Sequence, residues 1–196
     1  MNKNYFPNRD KECFSSALAN LLVEIGDKPT AKMVYDNFPK HPFVLSDGVI
    51  MGVTTRLLVD LTGGRYQGVL YAPVLNGKGI ENIKKHYRIK ASEVLKVIRE
   101  EREKGRIRPL NDVCERLPRI LFHLDFYHEN PQNSHAIVDL GNDKFITNGK
   151  FKIWPSEERK KLFPNRPSDL YSNLDIVGIL DVWTAEADPD IMASYR

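Results

Sequence analysis

The sequence predicts an α+β fold with helices in its N-terminal part, packed on an antiparallel sheet built from its C-terminal part. Two observations carry this expectation. Apolar residues recur at helical spacing up to about Lys104, and short β-prone runs bounded by turn residues dominate from Arg119 onward. Helices come first and strands later, with few alternations, which argues against a doubly wound sheet.

The first helix is predicted from about Glu12 to Ile25, because Phe14, Ala17, Leu18, Leu21, Leu22 and Ile25 fall on one stripe. Asp10 is placed to cap its start and Gly26 to stop it. Helices are expected at Thr30–Phe38, closed by Pro39, and at about Asp47–Leu61, ended by Gly63-Gly64. Gln67–Tyr71 is short and β-prone. Two further helices follow at Gly79–Tyr87 and Ala91–Lys104, the second with a short apolar stripe of Val94, Leu95, Val97 and Ile98. Arg119–Leu124 reads as a strand and Asp125–Ser134 as a polar loop. His135–Leu140 and Lys144–Asn148 read as strands around a Gly141-Asn142-Asp143 turn. Glu157–Leu162 is expected to hold a helical turn, and Asp175–Trp183 a strand.

No repeat or composition break divides the chain, so one domain over residues 1–196 is expected, its last ten or so residues loosely held. Hydrophobic residues make up 41% of it, enough for a sizeable core. No apolar run approaches the ~18 to 20 residues that cross a bilayer. The N-terminus lacks the basic-then-apolar layout of a secretion signal, so a cytoplasmic location is expected, with no membrane partner. In that compartment Cys13 and Cys114 are expected as free thiols, Cys114 structural. The net charge of +3 is uneven: Lys84–Arg108 holds ten Lys/Arg against four Glu, leaving the remainder acidic. With Tyr87 its one aromatic, that segment reads as a solvated helical face, and nucleic-acid binding through it is a weaker alternative.

Cys13 carries the chemistry. It falls in the first turn of the predicted helix, where unpaired N–H groups and the helix dipole favour a thiolate. The carboxylates of Asp10 and Glu12 act the other way. His135 opens a later strand. A two-residue turn at Gly141-Asn142 sets His135 opposite Asn148, with Cβ atoms roughly 4.5–5.5 Å apart on one face. Moving the turn to Asn142-Asp143 keeps both on one face, and a three-residue loop breaks the arrangement. In the favourable registers the Asn148 amide holds the imidazole as the third member of a nucleophile–base–orienter set. His123, Asp125, His128, Glu129 and His135 cluster in sequence, but their spacing fits no standard zinc signature. Gly77-Lys-Gly79 lacks the other glycines of a phosphate loop. No metal or organic cofactor is expected.

A Cys-headed helix, a late strand starting with His and an Asn closing the next strand resemble the papain-like cysteine peptidases. The likeness is greatest to the bacteriocin-processing (double-glycine leader) peptidases, through Cys13–Leu22, Ser134–Asp139 and Ile146–Asn148. The resemblance implies a papain-like fold and a thiol hydrolase acting on a peptide or amide, with Cys13 as nucleophile, His135 as general base and Asn148 as orienter. The family places a Gln about six residues before the Cys for the oxyanion hole. Here Pro7 and Asn8 stand there, and Asn8 carries the available amide. Phe14 also follows the Cys where the family has a small residue. Losing an oxyanion donor costs roughly two to three orders of magnitude in rate, so a catalytically inactive binding module on the same fold is the alternative.

Overall fold

The computed structural model describes residues 4–9, 12–45, 48–113, 116–124, 134–155 and 176–185. Asp10, Cys114, Asp125, His128, Glu129, the helical turn expected at Glu157–Leu162 and the tail after Ala185 lie outside them.

In α1 (Cys13–Glu24) every residue from Phe14 to Val23 is buried, the polar Ser15, Ser16 and Asn20 included, so the helix needs cover on all sides. α2 (Lys28–Asn37) lies against one side and the sheet against the other. Glu12 occupies the N-cap of α1 without a side-chain cap. Asp27 starts α2, accepting the Thr30 N–H at 3.1 Å ahead of a proline in the first turn. α3 (Thr54–Leu61) begins later than the apolar spacing predicts, because a 3-10 turn at Met51–Val53 precedes it and Thr54 Oγ1 donates back to Met51 O at 2.7 Å. α4 (Gly77–Tyr87), capped by Asn76, and α5 (Ala91–Glu103) pack together as a hairpin.

Among the described residues seven strands form one sheet: β1 (Tyr66–Tyr71), β2 (Ile107–Arg108), β3 (Arg119–Leu124), β4 (Ser134–Gly141), β5 (Lys144–Thr147), β6 (Lys150–Ile153) and β7 (Ile176–Thr184). Their order is β2-β1-β7-β3-β4-β5-β6. The fold is α+β, but the sheet is mixed and not purely antiparallel, since β2 pairs parallel to β1. The reason is the α4–α5 hairpin, which returns the chain beside β1 and sets Ile107 against Leu70. The sheet therefore draws on both halves of the sequence. β2 and β6 are strands that the sequence reading did not anticipate.

Alternation divides the sheet into two faces. Ile120, Phe122, Ala136, Val138, Ile146, Leu180 and Val182 join the core around α1. Leu121, Ile137, Phe145, Ile179 and Trp183 form a separate cluster on the opposite face. That second face also holds a buried ion pair, Arg119 Nε to Asp139 at 3.1 Å.

Candidate functional site

Cys13 is the first residue of α1 and half-buried, packed at the margin of the main core. Its own N–H belongs to the first turn, where backbone donors have no intrahelical acceptor. The segment before it is wound back along α1 and α2. Phe6 N–H donates to Asn20 Oδ1 at 2.7 Å, and Phe6 O accepts from Asn20 Nδ2 at 3.0 Å and from Ser16 Oγ at 2.8 Å. Tyr35 OH donates to Pro7 O at 2.8 Å, and Arg9 stacks over the Tyr35 ring at 3.7 Å. Asn8 is thereby held between two anchored neighbours. Its Oδ1 is buried and, among the described residues, accepts no hydrogen bond, an unspent polar atom close to the start of α1. Glu12 Oε2 is likewise buried without a hydrogen bond among the described residues, with Arg9 at 3.9 Å supplying opposite charge.

His135 is the second residue of β4 and lies opposite His123 of β3, their ring centroids 5.4 Å apart and edge to face. The pairing of β4 with β5 departs from both registers that place Asn148 beside it. The turn is Asn142-Asp143, both at positive φ, with Gly141 opposite Lys144. The next pair is Asp139 with Phe145, so Leu140 is left unpaired as a bulge and the register slips by one residue. Asp139 causes the bulge, since its Oδ1 accepts the Gly141 N–H at 2.9 Å and folds the backbone around itself. One slipped residue exchanges the faces. Asn148 is consequently not opposite His135. It is exposed, at φ 51, and with Gly149 at φ 71 forms the two-residue turn of the β5–β6 hairpin. The side chain beside His135 is Thr147, whose Oγ1 lies 3.3 Å from Nε2. A hydroxyl can accept an imidazole N–H and fix the ring, so Thr147 takes the geometrical position expected of Asn148. Sequence reasoning missed it, because a threonine at a strand end carries no signal without the register.

The same end of the sheet gathers these pieces. The turn at Gly149 packs on the segment before Cys13 so closely that a Cβ there would lie 2.6 Å from Phe6 O. Phe14 stacks on Phe122 at 5.8 Å, and Phe122 pairs with Ala136. Phe122 and Ala136 are on the α1 face, so alternation roots His123 and His135 on the other. Phe14, which follows Cys13, lies over Phe122 on the α1 face, while His135 is rooted on the opposite face, one residue from the end of its strand.

Two other features lie apart from Cys13. A cavity of about 600 Å³ opens at the opposite end of α1, lined by Ile25, Gly26, Asp27, Gly63, Gly64 and Arg65 among others. There Asp27 accepts from Tyr66 OH at 3.0 Å and pairs with Arg65 at 3.3 Å. Among the described residues no group of three or more metal-capable side chains gathers, and no helix is long and apolar enough to cross a membrane.

No family model, curated protein or solved structure matches this chain.

Proposed function

We propose that the chain is a thiol hydrolase acting on a peptide or related amide, with Cys13 as its nucleophile. The observation that carries this reading is the form of α1. From Phe14 to Val23 the helix is sealed, while its first residue is a half-exposed cysteine at the positive end of the dipole. A thiol in that position is rigidly held and still meets solvent, and the sealed remainder of the helix gives it a fixed platform.

In the proposed reaction His135 takes the Cys13 proton as the sulfur attacks the carbonyl carbon, and the carbonyl electron pair moves to oxygen. The Cys13 N–H and the Asn8 amide hold that oxyanion. Collapse expels the amine, which receives the proton from His135 and leaves an acyl-thioester on Cys13. Water, deprotonated by His135, then attacks the thioester carbon, and the thiol departs with the proton returned. Thr147 orients the imidazole through Nε2. Because His135 is rooted on the far face, the thiol and the ring meet around the end of β3 and β4 and not across the sheet. The sequence resemblance to papain-like peptidases supports the same roles for Cys13 and His135, and the α+β architecture is compatible with it.

The test is hydrolysis of a mixed peptide and amide library, read by mass spectrometry. Turnover that disappears in Cys13→Ser and falls in His135→Ala supports the reading. Turnover unchanged in Cys13→Ser removes it.

A second reading is a binding module without turnover, and the face assignment of His135 favours it. It predicts peptide binding with the same library, no cleaved product, and a Cys13 thiol of ordinary reactivity.

A further inference from the structure

We infer that the β6 edge is a docking strand for an extended peptide in which acidic and apolar residues alternate. Among the described residues β6 ends the sheet, paired on one side with β5. All four of its residues are exposed, including Phe151 at 46% and Ile153 at 63%. The register sets Phe151 against Ile146 and Lys152 against Phe145. Phe151 and Ile153 therefore continue the α1 face of the sheet beyond its edge, and Lys150 and Lys152 continue the face of Thr147 and His135. Among the described residues neither lysine has an ion-pair partner. An added strand would satisfy the outward backbone N–H and C=O groups, lay apolar side chains along Phe151 and Ile153, and set carboxylates against the two lysines.

Edge lysines also serve to keep sheets from joining, so Lys150 and Lys152 alone would mark a blunted edge. A blunted edge has no use for two large exposed apolar side chains on its other face. A second copy of β6 is a poor occupant: registers that match the faces set lysine opposite lysine, and the others set lysine among apolar groups. An acidic-apolar strand meets neither obstacle. The edge is continuous with the proposed site, since the Asn148-Gly149 turn that begins β6 packs on Phe6 and Pro7, ahead of Cys13. The inference rests on the hydrolase reading where it takes this peptide to be substrate, and the docking itself is measured without turnover.

The experiment uses the full chain carrying Cys13→Ala and a fluorescein-labelled peptide, Glu-Val-Glu-Ile-Glu-Val, followed by anisotropy. Two isomers are N-methylated on alternate amides, so that one presents its methyls to β6 and the other presents them to solvent. The expected result is saturable binding of the parent, at least a tenfold loss for one isomer and little change for the other. Lys150→Glu with Lys152→Glu should cost at least tenfold and create binding of the matching Lys-Val peptide, while Lys84→Glu with Lys85→Glu changes nothing. No binding of the parent, equal behaviour of the two isomers, or loss through the Lys84/Lys85 variant overturns the inference, and the isomers decide even where the β6 double variant fails to fold. Docking without cleavage by the wild-type chain removes the claim that this peptide is a substrate and leaves the docking inference standing. Cleavage of other amides without docking removes the β6 inference alone.

Discussion

The two faces of the sheet are built on different principles. The face under α1 contributes aliphatic and aromatic side chains from β3, β4, β5 and β7, so the helix above it is sealed along its length. The opposite face mixes an apolar cluster with Arg119, Asp139, His123, His135 and Thr147. Burial on the first face fixes where Cys13 stands, and polar contacts on the second fix where His135 points. The candidate pair therefore belongs to two separately stabilised layers, joined where the turn at Gly149 packs on Phe6 and Pro7.

The largest effects should come from breaking either layer. Phe122→Ala removes the ring on which Phe14 stacks and should cost about 3–5 kcal/mol in chemical denaturation. On the other face, Arg119→Met leaves the Asp139 carboxylate buried beside a neutral side chain and should cost a comparable ~3–5 kcal/mol. If Arg119→Met proves nearly neutral, the second face is less sealed than its burial indicates. A smaller effect is expected where the layers are joined. Gly149→Ala puts a Cβ against Phe6 O and forces alanine into a left-handed conformation, itself worth about 1–2 kcal/mol. Stability unchanged in that variant would mean that the hairpin turn does not press on the segment before Cys13.

The smallest effect is on pH dependence. Burial, followed by the bond to Glu24, pushes the Tyr5 hydroxyl up to about 12, and burial with the bond to Asp27 does the same to Tyr66. Both groups favour the neutral phenol in the folded state. Their contribution should be intact below the ordinary phenol value of about 10 and should fade as pH rises toward 12. Burial alone would raise the Asp27 carboxyl, but bonds from Thr30 and Tyr66 and the Arg65 charge outweigh it and hold it below the ordinary value. Asp27 therefore contributes stability above the ordinary carboxyl range and loses it as pH falls through its lowered value. Thermal melts of wild type, Tyr5→Phe and Tyr66→Phe across both ranges check these signs.

Much of this arrangement is legible in the sequence, and the failures have local causes. The apolar stripe of Phe14, Ala17, Leu18, Leu21 and Leu22 identifies α1, and Gly63-Gly64 identifies the end of α3. The β-branched run at Ile176–Thr184 identifies β7. Asn148-Gly149 between two β-prone runs is itself a hairpin signal, and taking Asn148 as an orienter obscured β6. The bulge at Leu140 was beyond reach, because it depends on one side chain, Asp139, bonding a backbone N–H two residues on. That single bond decides whether Asn148 or Thr147 stands beside His135. β2 needed the α4–α5 return, which two strand residues cannot announce.

The proposed reaction requires Cys13 and His135 to act together around the end of β3 and β4. The most direct measurement is the alkylation rate of Cys13 against pH, read by residue-resolved mass spectrometry in wild type, His135→Ala and Thr147→Val. That pairing predicts that Cys13 reacts well below the pH of a free thiol, whose pKa is about 8.5. It further predicts that His135→Ala abolishes this and that Thr147→Val weakens it. A Cys13 that titrates like a free thiol in all three proteins would contradict the pairing and leave the chain as a binding scaffold.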